Sequence, residues 1–239
     1  MAGDGRRFKE AGYTTPKPFI RIDGRTITSL VLENLTYPGA RFLLVARRDH
    51  AMLDPDAMAE LQNHPGVDVD FVDTLTEGPA CTVLEAIKRV GTDDPILIAN
   101  CDQWIEHGIS DMVDRALAQN IDGSIMVFED EGDPKWSFAK IDKNGFVVEV
   151  AEKNPISKLA TVGLYFFASA GKFISGLNAM IDANDRVNGE FYTCPVYNYL
   201  IERGEKVGIY EIAKSSMYGL GTPTDLERFQ EEMPHTRPL

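Results

Sequence analysis

Apolar, β-branched runs of strand length recur at RFLLVA (41–46), VDVDFV (67–72), PILIAN (95–100), GSIMVF (123–128) and TVGLYFF (161–167), and helix-period segments separate the early ones. Those segments are ITSLVLENL (27–35), TVLEAIKRV (82–90) and ISDMVDRALAQN (109–120). Strand alternating with helix predicts βαβ units, and hence an α/β fold built on a mainly parallel sheet flanked by helices. SFAKID (137–142) and FVVEVAEK (146–153) read instead as a β-hairpin with Lys143-Asn144-Gly145 at its turn, so the sheet is expected to be mixed. Helical stretches follow at 172–183 and 190–203, then a strand at VGIYEI (207–212) and a last helix from about Thr224. With 239 residues, 44% of them hydrophobic, and no repeat or Gly/Ser/Pro-rich linker, the expectation is a single domain over 1–239.

The formal net charge of −13 argues against a broad basic surface for nucleic acid, although cations can still gather in one pocket. Cys81, Cys101 and Cys194 are far apart and form no C-x-x-C pair, so neither a disulfide framework nor a zinc site is expected. No apolar run reaches membrane-span length and the N-terminus lacks a signal-peptide core. A cytoplasmic protein without nucleic-acid or membrane partners is expected, and homo-oligomerisation is left open.

Two places suggest chemistry. The chain opens MAGDGRRF, where Gly3 and Gly5 allow a sharp turn whose N–H groups can approach a phosphate and Arg6 and Arg7 add charge. Alone, such a G-x-G is more often a solvated terminus. Lys17 shifts the balance, because Pro16 and Pro18 restrict the backbone on both sides of that cation. In PILIANCDQ an apolar strand runs into Asp102, just past its carboxyl end, where ligands bind in open α/β sheets. Mg²⁺ prefers oxygen ligands and keeps several waters, so Asp102 plus substrate phosphates can hold it. The competing role for Asp102 is as a cap of whatever follows.

These residues, in this order, resemble the sugar-phosphate nucleotidylyltransferase family. MAGDGRRF is similar to its glycine-rich A-G-x-G-x-R-F signature, PKPFIRIDGRTI to its P-K-P segment, EGPACTVLEAI to its nucleobase-facing loop and ANCDQ to its strand-end aspartate motif. VAEK resembles its E-K pair, ATVGLYFF its glycine-bearing strand, NGEFYTCPVYNYLIERG its G-E helix segment, and YGLGTPTDLERF its closing G-T-P-x-D-L. The resemblance spans nearly the whole chain. It implies a Rossmann-like nucleotide-diphospho-sugar transferase fold of the GT-A kind. It also implies that Ala2, Gly3, Gly5 and Arg7 wrap a nucleotide, Lys17 meets its phosphates, and Gly78 and Ala80 line the base pocket. By the same carry-over Asp102 binds Mg²⁺, Glu152 bonds the acceptor, Lys153 holds the acceptor phosphate and Gly163 leaves room for it. Without the resemblance, Glu152 and Lys153 read as solvated charges at a strand end. Tyr192 and Trp136 are expected to pack rather than to serve the site.

The sequence departs from the family twice. Many members carry a second metal-binding aspartate where this chain has Gly219; either one protein carboxylate suffices or another acid, Asp225 being a candidate, replaces it. Asp225 also suits the start of the last helix. The family's usual first strand, directly before the glycine loop, is missing. Its loss from a central position would leave unpaired backbone groups at about 1–3 kcal/mol each, which led to the expectation that Met1 is not the natural start or that the chain is a truncated copy.

The expected reaction joins a nucleoside triphosphate to a phosphorylated acceptor, a sugar 1-phosphate by resemblance, and releases pyrophosphate for activated-sugar or surface-polysaccharide synthesis. The acceptor phosphate is already anionic, so Arg7, Lys17 and Lys153 would act by charge and position, with no histidine among His50, His64, His107 and His235 taking a proton. The alternatives are a cytidylyltransferase for a non-sugar phosphate, a GT-A glycosyltransferase, for which the D-x-D at Asp68 and Asp70 precedes the expected strand end, and a non-catalytic nucleotide-binding homologue.

Overall fold

The computed structural model describes residues 1–3 and 5–233; His235 lies outside them. In chain order the strands are β1 (Arg21–Ile22), β2 (Arg25–Thr26), β3 (Phe42–Arg47), β4 (Val67–Val72), β5 (Ile96–Ala99), β6 (Gln103–Ile105), β7 (Gly123–Glu129), β8 (Ser137–Ile141), β9 (Val147–Glu152), β10 (Leu159–Phe167), β11 (Val207–Glu211) and β12 (Met217–Gly219). Every strand expected from β-branched runs is present, as is the Asn-Gly hairpin. There the Asp142 carboxylate accepts from the backbone N–H of Asn144 and Phe146, and Gly145 takes φ +84°.

The residues group into two compact units, each sewn from separate stretches: Met1–Leu75, Cys101–His107 and the described residues from Ser215 on form one, and Thr76–Asn100 with Gly108–Lys214 form the other. Units interleaved in this way need no linker between them.

In the first unit β3 and β4 pair in parallel, and Phe19, Leu32, Ala46, Met58 and Leu61 form a core beside them. Helix Ile27–Asn34 starts where the Thr26 hydroxyl accepts from Ser29 N–H at 3.0 Å, closing one of the free amides of its first turn. At its other end the Asn34 amide both donates to Ile105 C=O at 2.6 Å and accepts from Ile105 N–H at 2.8 Å. That double bond fixes β6, which pairs antiparallel with β12. A second core joins Phe8 and Ile27 to Leu220, Leu226 and Phe229, so the short helix Arg6–Glu10 is anchored among residues on either side of Gly221.

The second unit holds the larger sheet, in the order β11-β7-β10-β8-β9 with β5 also on β10. The sheet is mixed, but within it only β7 and β11 run parallel among the described pairings. Strand β10 runs against β7, β5 and β8 because the chain reaches it through the β8–β9 hairpin and not through a crossover helix. β5 pairs along Leu164–Phe167 and β8 at Ala160, with Gly163 between. Gly163 takes φ +82° inside a register shift between Thr161 and Tyr165, a bulge that favours glycine, and its carbonyl accepts from Asn100 N–H at 3.0 Å.

The helix expected over 190–203 is shorter, Val196–Glu202. Pro195 disfavours helical geometry at Cys194, and Glu190–Thr193 lie outside the helix, with Glu190 in a bridge to Val187 and Phe191 bonded to Glu77 and Ala80. Among the described residues no strand precedes the glycine loop, and β3 and β5 each have one hydrogen-bonded neighbour. No helix among them is long and apolar enough to cross a membrane.

Candidate active site

In the first unit the glycine loop, Lys17 and Asp102 come together. Gly5 stands at the start of helix Arg6–Glu10 with φ +62°, and a Cβ on it would lie 3.3 Å from Lys17 Cβ. Lys17 opens a single 3₁₀ turn after Pro16, and its Nζ donates to Asp102 Oδ2 at 2.7 Å. Both side chains are largely covered, 18% and 26% exposed, so solvent screens the pair less than a surface bridge. Burial works against the Lys17 charge, but Asp102 outweighs it and holds the ammonium above the ordinary lysine range, while Arg7 is near enough to push the other way. Ala2 is buried, Gly3 and Arg7 are exposed, and a Cβ at Gly3 would meet nothing within 4 Å. Asp102 caps no helix: β6 follows it directly, and its C=O accepts from Leu220 N–H at 2.7 Å.

Asp225 joins the same corner. Thr222 caps helix Pro223–Glu232 by accepting from Asp225 N–H at 3.1 Å, leaving the Asp225 carboxylate in the first turn. A Cβ on Gly219 would lie 3.5 Å from Asp225 Cγ. A Cβ on Gly221 would lie 3.1 Å from Asp102 Oδ2 and 3.9 Å from Asp225 Oδ2. Asp225 therefore fills the space beside Gly219 that a side chain there would use, and both carboxylates border the backbone at Gly221. Gln103, 9% exposed, is the cross-strand partner of Gly219, and its Oε1 is buried with no hydrogen-bond partner. Sequence reasoning passed over Gln103, although it directly follows Asp102.

In the second unit the E-K pair ends β9. Burial pushes the Glu152 carboxyl above the ordinary carboxylate range, opposed by the Ser137 hydroxyl that donates to it and by the Lys153 charge. Lys153 follows with φ +54°, uncommon for a side chain larger than glycine, and its N–H donates to Trp136 C=O at 3.0 Å. Its Nζ donates to the Tyr192 hydroxyl at 2.5 Å, and that hydroxyl donates to Glu190 Oε2 at 2.6 Å. Tyr192, expected only to pack, thus belongs to this cluster; reading 190–203 as a continuous helix hid it. Trp136 does pack, edge-on against Phe128 with ring centroids 5.2 Å apart.

Gly78 and Ala80 lie against the same segment. Ala80 N–H donates to Phe191 C=O at 3.0 Å, Phe191 N–H donates to Glu77 C=O at 2.9 Å, and Ala80 is fully buried. Gly78, at φ +138°, leaves no space for a Cβ beside the Phe191 backbone. Asp68, of the D-x-D, sits within β4 and pairs with Arg41 at 2.5 Å.

The sequence matches the nucleotidyl transferase family over residues 1–222. It is 27% identical over 172 residues to a glucose-1-phosphate thymidylyltransferase of Streptomyces antibioticus, covering 70% of this chain and 48% of that protein. It is 24% identical over 177 residues to the low-salt glycan biosynthesis nucleotidyltransferase Agl11 of Haloferax volcanii, with the same coverage, 70% and 48%. The chain spans about half the length of these two relatives. Among solved structures it superposes on a nucleoside-diphosphate-sugar pyrophosphorylase from Vibrio cholerae RC9 with TM-score 0.83 and 30% identity, over 97% of this chain and 98% of that one. A UDP-glucose pyrophosphorylase from Acinetobacter baumanii shares the fold at TM-score 0.73 and 18% identity, over 98% and 92% of the two chains. With a family match over most of its length and these relatives beside it, the chain belongs to the nucleotidyl transferase family.

Proposed function

We propose that the chain transfers a nucleotidyl group from a nucleoside triphosphate to a sugar 1-phosphate, releasing pyrophosphate. The observation that carries this reading is the Lys17–Asp102 pair beside Gly5, a cation and a carboxylate held together at the glycine loop. The names of the relatives, thymidylyltransferases and pyrophosphorylases among them, favour a sugar phosphate as acceptor. Arg7 and Lys17 supply positive charge to the α-phosphate and the leaving pyrophosphate, and Lys153 holds the acceptor phosphate. Glu152, kept partly desolvated, serves as hydrogen-bond acceptor for the sugar. Cytoplasmic residence accompanies this reading.

The donor set at Asp102 suits Mg²⁺. Two carboxylates border Gly221, and both offer oxygen. Mg²⁺ takes its other ligands from phosphate and water. Bound there, Mg²⁺ would supply Lewis-acid neutralisation of phosphate charge. Asp102 and Asp225 would hold it, and Lys17, now bonded to Asp102, would be free to turn to the phosphates.

Asp225→Asn is therefore expected to weaken Mn²⁺ binding, read by electron paramagnetic resonance on the protein alone, by about 10–100-fold. The double variant Gly219→Asp with Asp225→Asn is expected to recover most of it. Unchanged affinity in Asp225→Asn removes that residue from the metal site. The reaction itself is tested by pyrophosphate release from four nucleoside triphosphates with Mg²⁺ and a panel of sugar 1-phosphates and other phosphorylated acceptors. Release with one sugar phosphate is expected. A nucleoside diphosphate as product signals γ-phosphoryl transfer or hydrolysis instead, and triphosphate binding without release signals a non-catalytic homologue.

A further inference from the structure

Lys153 is held in an unusual way. Its ammonium forms no ion pair with a carboxylate among the described residues; its side-chain partner is the Tyr192 hydroxyl at 2.5 Å, with the ring centroid 4.3 Å away. The hydroxyl's own proton is committed to Glu190 Oε2 at 2.6 Å, so a lone pair on the phenol oxygen faces Lys153. Direction runs one way along the chain, from Lys153 through Tyr192 to Glu190. A phenol fixes the ammonium without cancelling its charge, as a direct carboxylate partner would. Burial and the Glu190 carboxylate both keep the phenol protonated, so the direction of the chain does not reverse near neutral pH.

The surroundings hold both ends. Lys153 adopts its left-handed backbone conformation while its N–H is bonded to Trp136. Phe191, next to Tyr192, is tied on both sides to Glu77 and Ala80, and the Arg186 guanidinium lies 3.9 Å over its ring centroid. Glu190 is pinned by two backbone bonds to Val187, each 3.0 Å. A cation bonded directly to a phenol, with Glu152 acting on it through space, and seated on an oxygen locked from behind, is ready for an anionic group.

We infer that Tyr192, oriented by Glu190, is the positioning residue that sets the Lys153 ammonium for the phosphate of the acceptor. This rests on the proposed reading of Lys153 as the acceptor-phosphate residue. Tyr192 does not touch the reacting atoms; it acts through Lys153, and Glu190 acts through Tyr192.

The test is binding of glucose 1-phosphate by titration calorimetry to the full chain, with the tightest-binding nucleoside triphosphate as the internal reference. Tyr192→Phe keeps the ring and removes the oxygen. It is expected to raise the Kd for glucose 1-phosphate about tenfold, with the triphosphate Kd unchanged and melting temperature close to that of the parent. Glu190→Gln, which still accepts the phenol proton, is expected to do much less. Lys153→Met is expected to weaken glucose 1-phosphate at least as much as Tyr192→Phe, and adding Tyr192→Phe to it is expected to change nothing further. A merely structural tyrosine would give additive losses and would move the triphosphate too. Loss in Lys153→Met with none in Tyr192→Phe overturns the positioning role alone. No loss in Lys153→Met, or no saturable binding by the parent chain, overturns the reading beneath it as well.

Discussion

Lys17→Ala is expected to lower kcat by about 10²- to 10³-fold, the range seen when one preorganised charge or donor aimed at developing transition-state charge is removed. The effect should fall on turnover more than on the KM for triphosphate, because charge on the leaving pyrophosphate grows as the bond breaks. The geometry adds a second consequence. Lys17 Nζ is bonded to Asp102, and with it gone a largely covered carboxylate loses its cation. Melting temperature must therefore be measured beside the kinetics, and Lys17→Met, which keeps most of the stem, separates lost packing from lost charge. Lys17→Arg is not expected to restore activity, since a planar guanidinium does not take the place of a compact ammonium bonded to Asp102. A folded Lys17→Ala variant with unchanged kcat/KM would take Lys17 out of the mechanism.

Gly78→Ala carries the second large effect, on stability. A Cβ there would sit 2.5 Å from both N and O of Phe191 and 3.0 Å from its carbonyl carbon, all backbone atoms held by hydrogen bonds to Glu77 and Ala80. The backbone at φ +138° and ψ 173° is a conformation essentially reserved for glycine. Strain of about 1–3 kcal/mol from the dihedral and about 1–3 kcal/mol from forced displacement gives a loss of about 2–6 kcal/mol. For a chain of this size that corresponds to a fall in Tm on the order of 10 °C. Gly189→Ala is the matching control, with φ +83° but open space around its Cβ, and should lose only the conformational part. A Gly78→Ala variant melting with the parent would show that this segment has another arrangement in solution.

Much of the first unit's candidate site was legible as a pattern because its residues are local in the chain. The glycine loop, Pro-flanked Lys17 and the aspartate past an apolar strand can each be read from a few adjacent residues, and the structure brings Gly5, Lys17 and Asp102 together. What could not be read depended on distant segments. Asp225 meets the Gly219 position only after the chain has paired β12 with β6, so its first-turn place looked like a sufficient explanation. Tyr192 was hidden by periodicity: the apolar pattern of 196–202 extends backwards past Pro195, and that proline together with the bonds made by Glu190 and Phe191 holds the stretch out of the helix. The direction of β10 was likewise illegible, since alternating strand and helix signals say nothing of a strand reached through a hairpin.

The β6–β12 pairing joins segments roughly a hundred residues apart, and Asp102 is bonded through its carbonyl to Leu220 just after β12. Bringing such remote stretches together carries a loop-closure entropy that nearby contacts do not. During synthesis the aspartate corner must wait until β12 and the turn after it have left the ribosome. A nascent chain stalled short of residue 215 would contain Arg7, Lys17 and Asp102, yet lack the strand and the second carboxylate beside them, so synthesis past β12 acts as a licence for this corner to form.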